Sequence, residues 1–257
     1  MPRRIVSVAP NVTEILFALG LEARVVGVTI YCQFPPEAQK KEKIGGYINP
    51  SLEKIVALRP ELVIGAAEGD LKNFVERLAA LGVCVYIIHP RDVAGVIRSI
   101  ENIGAVTFQA PKAQKMARAM RAQIQAIQKR IQDLPRPRVL HVLSVDPLIS
   151  AGEGTFVNDL IRLAGGRNIA EKALAQYPRF SMEEIIRQDP QVIILSSMRS
   201  QDPMAAERKW WARWQNISAV RSGRIYVLDA DLIHRPSPRI VQGLEKMARA
   251  IHPEAFP

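Results

Sequence analysis

The chain has 257 residues, 48% hydrophobic and 23% charged, a composition that buries one large core or two ordinary ones and excludes intrinsic disorder. Its net charge of +10 raises nucleic-acid binding, but the basic residues are spread along the chain without an aromatic-rich RNA motif or zinc-finger spacing. No apolar run reaches the roughly 18 residues of a membrane span, and MPRRIVSVAP runs into a strand pattern without a signal peptide's apolar region, so the protein is either cytosolic or has lost an export signal.

Ile5–Ala9, Val25–Thr29, Leu62–Ala66 and Val83–Ile88 are short apolar runs rich in β-branched residues and separated by helical patterns. That is the signature of parallel strands buried on both faces. A first helix is expected over Thr13–Leu19, preceded by Pro10 and Asn11 and stopped by Gly20. The alternation predicts a doubly wound α/β lobe over residues 1–106. In a strand order 2-1-3-4, Cys32 and Cys84 belong to strands about three spacings of ~4.8 Å apart, too far for a disulfide, so both thiols are expected free.

From Pro111 to Ile131 there is no glycine and no internal proline, and Met116, Met120, Ile124, Ile127 and Ile131 recur at helical spacing. This predicts one helix on the order of 30 Å long, ended by Pro135 and Pro137, within a connecting segment 107–134. Between Gln109 and Gln132 it carries Lys112, Lys115, Arg118, Arg121, Lys129 and Arg130 and no acidic residue, a face that suits solvent or an anionic membrane surface. Strand patterns at Arg138–Leu143, Val192–Leu195 and Ile225–Leu228 predict a second α/β lobe over 135–257, closed by a helix over Pro238–Ile251. Within it, Ser150–Gly166 reads as a turn feeding a helix that ends at paired glycines.

One stretch recurs. Tyr47–Ile64 returns 130 residues later as Tyr177–Ile194, with Tyr47, Ser51, Glu53, Ile55, Pro60 and Ile64 matched by Tyr177, Ser181, Glu183, Ile185, Pro190 and Ile194. Both copies read as an aromatic, a serine N-cap, an acidic first turn, an amphipathic helix, a proline stop and a buried strand. A unit repeated once implies two similar lobes, since a solenoid needs several stacked copies.

The best-defined dinucleotide, phosphate, acyl-transfer and zinc-protease motifs are absent, and SLEK at Ser51–Lys54 lacks the partner motifs of an SxxK enzyme. GEGT at Gly152–Thr155 is the one phosphate-turn candidate for a cytosolic two-lobe enzyme, such as a nucleotide-sugar transferase. His89, His141, His234 and His252 have no ligand spacing, and His141, inside a strand, is expected as a satisfied core residue. Of Trp210, Trp211 and Trp214, Trp214 is expected in the core, with Trp210 or Trp211 more exposed.

Open α/β sheets place ligands beyond the C-terminal ends of their strands. Asn11, Tyr31 and Glu68 follow the first three strands there, and Tyr47 and Tyr177 occupy loops whose aromatic faces suit a large, flat, partly apolar ligand. Asp231 and Arg235, beyond the last strand, either hydrogen-bond a ligand or pair with each other. Glu53 and Glu183 either stabilise the dipoles of their helices or present matching acidic points to one two-fold partner.

The succession SVAPNVTEILFALGL, VVGVT-YC-FPPEA, GGYINPSLEKIVALRPELVI, one long helix, GTFVNDLIRLAGGRNIAE and RPSPRI resembles the substrate-binding proteins of cobalamin and iron-chelate ABC importers, above all the cobalamin-binding branch, over essentially the whole chain. The resemblance implies two α/β lobes joined by one rigid backbone helix, a ligand cleft between them, no chemistry and no intrinsic cofactor. It implies that Glu53 and Glu183 dock on arginines of the two permease subunits. Tyr47 and Tyr177 stand where that branch has cleft tryptophans, Ala66 where another aromatic is expected, and Asp231 and Arg235 at polar cleft positions. The ligand so implied is cobalamin or a related corrinoid. The alternative is haem or a ferric siderophore, with Tyr47, Tyr177 or His234 on the iron. It further implies a periplasmic or cell-surface monomer that meets the membrane only through the permease or a removed lipid anchor, and that binds no nucleic acid.

Overall fold

The structure, a computed structural model, describes residues 1–67, 72–197 and 209–256. The chain divides into two compact units, the first formed by Met1–Pro90 and Ala94–Ala119, the second by Arg91–Val93 and Met120–Pro257.

In the first unit the apolar runs become β1 (Ile5–Ser7), β2 (Val25–Val28), β4 (Leu62–Ala66) and β5 (Cys84–Ile88), with a two-residue strand β3 (Glu42–Lys43) at the edge. All pair in parallel in the order β3-β2-β1-β4-β5. The expected order of the four apolar runs therefore holds, and β3, with no apolar residue, left no pattern to read. Helices α1 (Pro10–Ala18), α2 (Leu52–Ala57), α3 (Lys72–Ala80) and α4 (Val93–Val106) complete the α/β alternation. Val6, Val8, Ile44, Ile55, Val63 and Leu78 form a buried cluster. Cys32 is buried and Cys84 exposed, and both are free thiols.

Helix α1 begins at Pro10, three residues before the expected Thr13. Proline's fixed φ suits the first helical position, where its missing N–H is no loss. Gly20, at φ +72°, ends the helix. Its N–H donates to the Phe17 carbonyl at 2.8 Å and the Leu21 N–H to that of Leu16 at 3.0 Å, the paired bonds of a Schellman stop. Helix α5 (Ala110–Ile131) is continuous over 22 residues, and the division between the units falls inside it.

The second unit holds β6 (Arg138–Val142), a hairpin of β7 (Ser144–Val145) and β8 (Leu148–Ile149), α6 (Phe156–Leu163), β9 (Arg167–Asn168), α7 (Met182–Gln188), β10 (Val192–Ser197), α8 (Ser218–Arg221), β11 (Ile225–Asp229), α9 (Ala230–Ile233) and α10 (Ile240–Ile251). Its parallel sheet runs β11-β10-β6-β9. Leu140, Val142, Ile185, Ile193, Leu195 and Trp211 share one core cluster. The tryptophan expectation is corrected here: Trp211 is fully buried, while Trp210 and Trp214 pack on the cluster only in part. The helix carrying Trp210 and Trp211 gives way to a turn at residue 212, so the helical phase that pointed to Trp214 stops before reaching it.

The repeat is visible in the strand register. β4 lies between β1 and β5, and β10 lies between β6 and β11. Ile64 pairs with Ser7 and Tyr86, and Ile194 with His141 and Tyr226. At the C-terminal ends of α2 and α7, Arg59 and Asp189 both adopt left-handed backbone, at φ 44° and 41°. Each precedes its proline, which disfavours right-handed helix one residue earlier.

Candidate functional site

In the first unit the loops after β2 and β3 are tied together. The Ile30 N–H donates to the Gly45 carbonyl at 3.0 Å, and a Cβ placed on Gly46 would touch the Tyr31 ring at 3.7 Å. Tyr31 is thus held against the backbone beside Tyr47, with 49% of its surface exposed. Ile30, Phe34 and Ile48 on the same loops are also exposed. Sequence reasoning missed these three, although apolar residues just beyond strand ends, outside any periodic pattern, were a usable signal.

In the second unit the Tyr177 segment lies along the chain that follows β8. The Gln176 and Pro178 carbonyls accept from the Gly152 and Ser150 N–H groups at 2.7 and 3.1 Å. Two anchored neighbours hold the Tyr177 backbone while its ring stays 59% exposed. Leu174 on the same segment is exposed as well.

Asp231 and Arg235 do meet, one turn apart, in an ion pair of 3.0 Å, with 34% and 23% of their side chains exposed. Asp229 caps α9 by accepting from the Asp231 N–H at 2.8 Å, which fixes the turn carrying both residues at the end of β11. Asn11 is corrected from a loop residue to the second residue of α1, and it is buried. Its Nδ2 has no hydrogen-bond partner among the described residues. Glu68 lies outside the described residues. Ala66 is the buried last residue of β4.

Glu53 and Glu183 both sit in the first turns of their helices and are exposed. The preceding serines cap those helices, Ser51 accepting from the Lys54 N–H at 3.3 Å and Ser181 from the Glu184 N–H at 3.2 Å. Hydrogen bonds from its own N–H and from the Ser181 hydroxyl hold the Glu183 carboxyl below its usual range. Glu183 therefore stays anionic in any physiological medium.

Two other expectations change. His141 is fully buried, but neither ring nitrogen has a partner among the described residues, so it is not a satisfied core histidine. Nε2 of His234 is likewise buried without a partner among the described residues. At GEGT the turn is already filled: Thr155 caps α6 by accepting from the Asn158 N–H at 3.2 Å, and the Gly152 N–H is spent on Gln176. A phosphate would have to displace both contacts.

Each unit thus presents exposed aromatic and apolar side chains on strand-end loops tied by backbone hydrogen bonds. Among the described residues no three His, Cys, Asp or Glu side chains cluster to hold a metal ion, and no helix is long and apolar enough to cross a membrane. The chain belongs to the periplasmic binding protein family, whose sequence profile matches residues 5–232. It is 30% identical to the vitamin B12-binding protein of Vibrio parahaemolyticus, over 94% of this chain and 86% of that one. It is also 30% identical to YvrC of Bacillus subtilis, an uncharacterized ABC transporter substrate-binding lipoprotein, over 99% of this chain and 82% of that one. In three dimensions it is similar to the periplasmic vitamin B12 binding protein BtuF of Vibrio cholerae, with a TM-score of 0.86 at 28% identity, covering 100% of this chain and 99% of that one. The periplasmic heme-binding protein RhuT from Roseiflexus sp. RS-1 follows at 0.84 and 26% identity, covering 99% and 100%. These relatives are binding proteins and not enzymes, so the transferase reading is set aside.

Proposed function

We propose that this protein captures cobalamin or a related corrinoid outside the cytoplasm and delivers it to an ABC permease. The observation that carries the reading is where exposed apolar surface lies. Of the ten large hydrophobic residues exposed among the described residues, six are on the strand-end loops: Ile30, Tyr31, Phe34, Ile48, Leu174 and Tyr177. Such surface is unfavourable in water unless something covers it, and a corrin macrocycle is a broad, flat, partly apolar body. Asp231 and Arg235 would meet the amide groups at its rim through charge-assisted hydrogen bonds. Asn11, Tyr47 and Glu68 belong to the same proposed contact set. Glu53 and Glu183, exposed at the heads of matched helices, are assigned to the two permease subunits.

Calorimetric titration with cyanocobalamin tests this. Micromolar or tighter binding is expected, and no binding at about 100 µM, equivalent to about −5.5 kcal/mol, would overturn the corrinoid reading. A second reading rests on the exposed phenol of Tyr177, which suits ferric iron in haem or a siderophore. A Soret band that appears on adding haem, with no heat from cyanocobalamin, would favour it.

A further inference from the structure

Helix α5 is basic along its length, with no acidic residue of its own. It holds Lys112, Lys115, Arg118, Arg121, Lys129 and Arg130, so it supplies six of the ten excess charges. At 3.6 residues per turn, Ala113, Ala117, Met120, Ile127 and Ile131 form one buried stripe; Lys115, Arg118 and Lys129 fall opposite it, and Lys112, Arg121 and Arg130 fall along its flanks. All six are exposed. The exposed helix residues among them are alanine and glutamine, and Glu245 of α10, which lines one groove with Arg130, is paired with Arg249. Two cations are braced from below: the Lys112 ammonium lies against Gly20 at the end of α1, and the Arg130 guanidinium sits 5.5 Å from the centre of the Phe256 ring.

We propose that this face of α5 is a docking surface for an anionic phospholipid bilayer. Three features select that partner. The cations are spread along about 27 Å of one continuous helix, which suits an extended surface rather than a compact ligand. The face has no exposed aromatic residue on which nucleic-acid bases would stack. The apolar stripe is committed to the protein core, so the helix cannot insert, and attraction stays at the headgroup level, where each basic residue contributes about fivefold in affinity. Residence on the bilayer would confine a cargo carrier to the plane in which its permease lies. That benefit rests on the proposed function, but the surface itself does not.

The test is co-sedimentation of the full chain with vesicles of neutral phosphatidylcholine or of a 3:1 mixture with phosphatidylglycerol. Binding is expected only to the anionic vesicles, with loss at high salt as the Debye length shrinks from about 10 Å at 0.1 M to about 3 Å at 1 M. The triple variant K115Q/R118Q/K129Q should bind about a hundredfold more weakly. The equally discharged control K40Q/R77Q/K246Q, at exposed positions off α5, should retain nearly full binding. The proposal is overturned if the wild type does not bind anionic vesicles, if both variants lose binding equally, or if a 20-base-pair DNA duplex outcompetes the vesicles. Cyanocobalamin titration of the α5 variant, expected to match wild type, keeps this outcome separate from the fate of the cargo reading.

Discussion

The imidazole rings of His141 and His234 stand 5.2 Å apart at 61° to each other, and three of their four nitrogens are buried without a hydrogen-bond partner among the described residues. Strand alternation explains the placement. Leu140 and Val142 point into the Trp211 cluster, so His141 between them faces the other side of the β6 sheet. Burial first, and then the neighbouring His234, push the His141 imidazole well below its ordinary value. Burial also lowers His234 to about 4.

The sign of the pH effect follows. The unfolded chain takes up protons on these rings near pH 6.5, whereas in the folded unit His234 stays neutral until about pH 4 and burial holds His141 well below its ordinary value. The second unit should therefore lose stability as pH falls through that window, by an amount on the order of 2–3 kcal/mol from His234 alone. Trp210, Trp211 and Trp214 all lie in this unit, so the denaturation midpoint read by tryptophan fluorescence at pH 7.5 and at pH 4.5 checks it. His234→Gln and His141→Leu should each flatten the pH dependence.

Glu53→Arg with Glu183→Arg should abolish transport while leaving cyanocobalamin affinity unchanged. Loss of the two favourable helix-dipole contacts should lower stability only slightly, because both carboxylates are exposed to solvent. Equal losses of affinity and transport would place these glutamates in the ligand site or the fold.

Tyr31→Ala, Tyr47→Ala and Tyr177→Ala should each weaken cyanocobalamin binding roughly tenfold, about 1.4 kcal/mol, through loss of stacking area. The corresponding phenylalanine variants should bind nearly as wild type. If phenylalanine is as damaging as alanine, the phenol oxygens are the contact and the haem reading gains.

Gly243→Ala is predicted to disturb the Asp231–Arg235 turn at a distance. A Cβ on Gly243, in α10, would run into the Leu232 carbonyl in α9, and backbone cannot yield as a flexible side chain does. The expected outcome is a loss of about 1–3 kcal/mol in unfolding free energy together with weaker cyanocobalamin binding. Arg235→Leu should weaken binding with a smaller effect on stability, because its ion pair is partly exposed.

The sequence alone determined what depends on local pattern. The parallel strands, the long helix and the repeated cap, helix and proline stop were legible because periodicity, capping chemistry and proline geometry act over a few residues. The serine caps at Ser51 and Ser181 and the buried Ile55 and Ile185 emerge as read. Only the tertiary structure decided which side chains those elements bury or expose. It put Trp211 rather than Trp214 in the core, drew Asn11 into a helix and held Ile48 and Leu174 out in solvent. It also brought His141 and His234, 93 residues apart, into ring contact. Burial depends on which distant surfaces come together, and a residue's sequence neighbours carry little information about that.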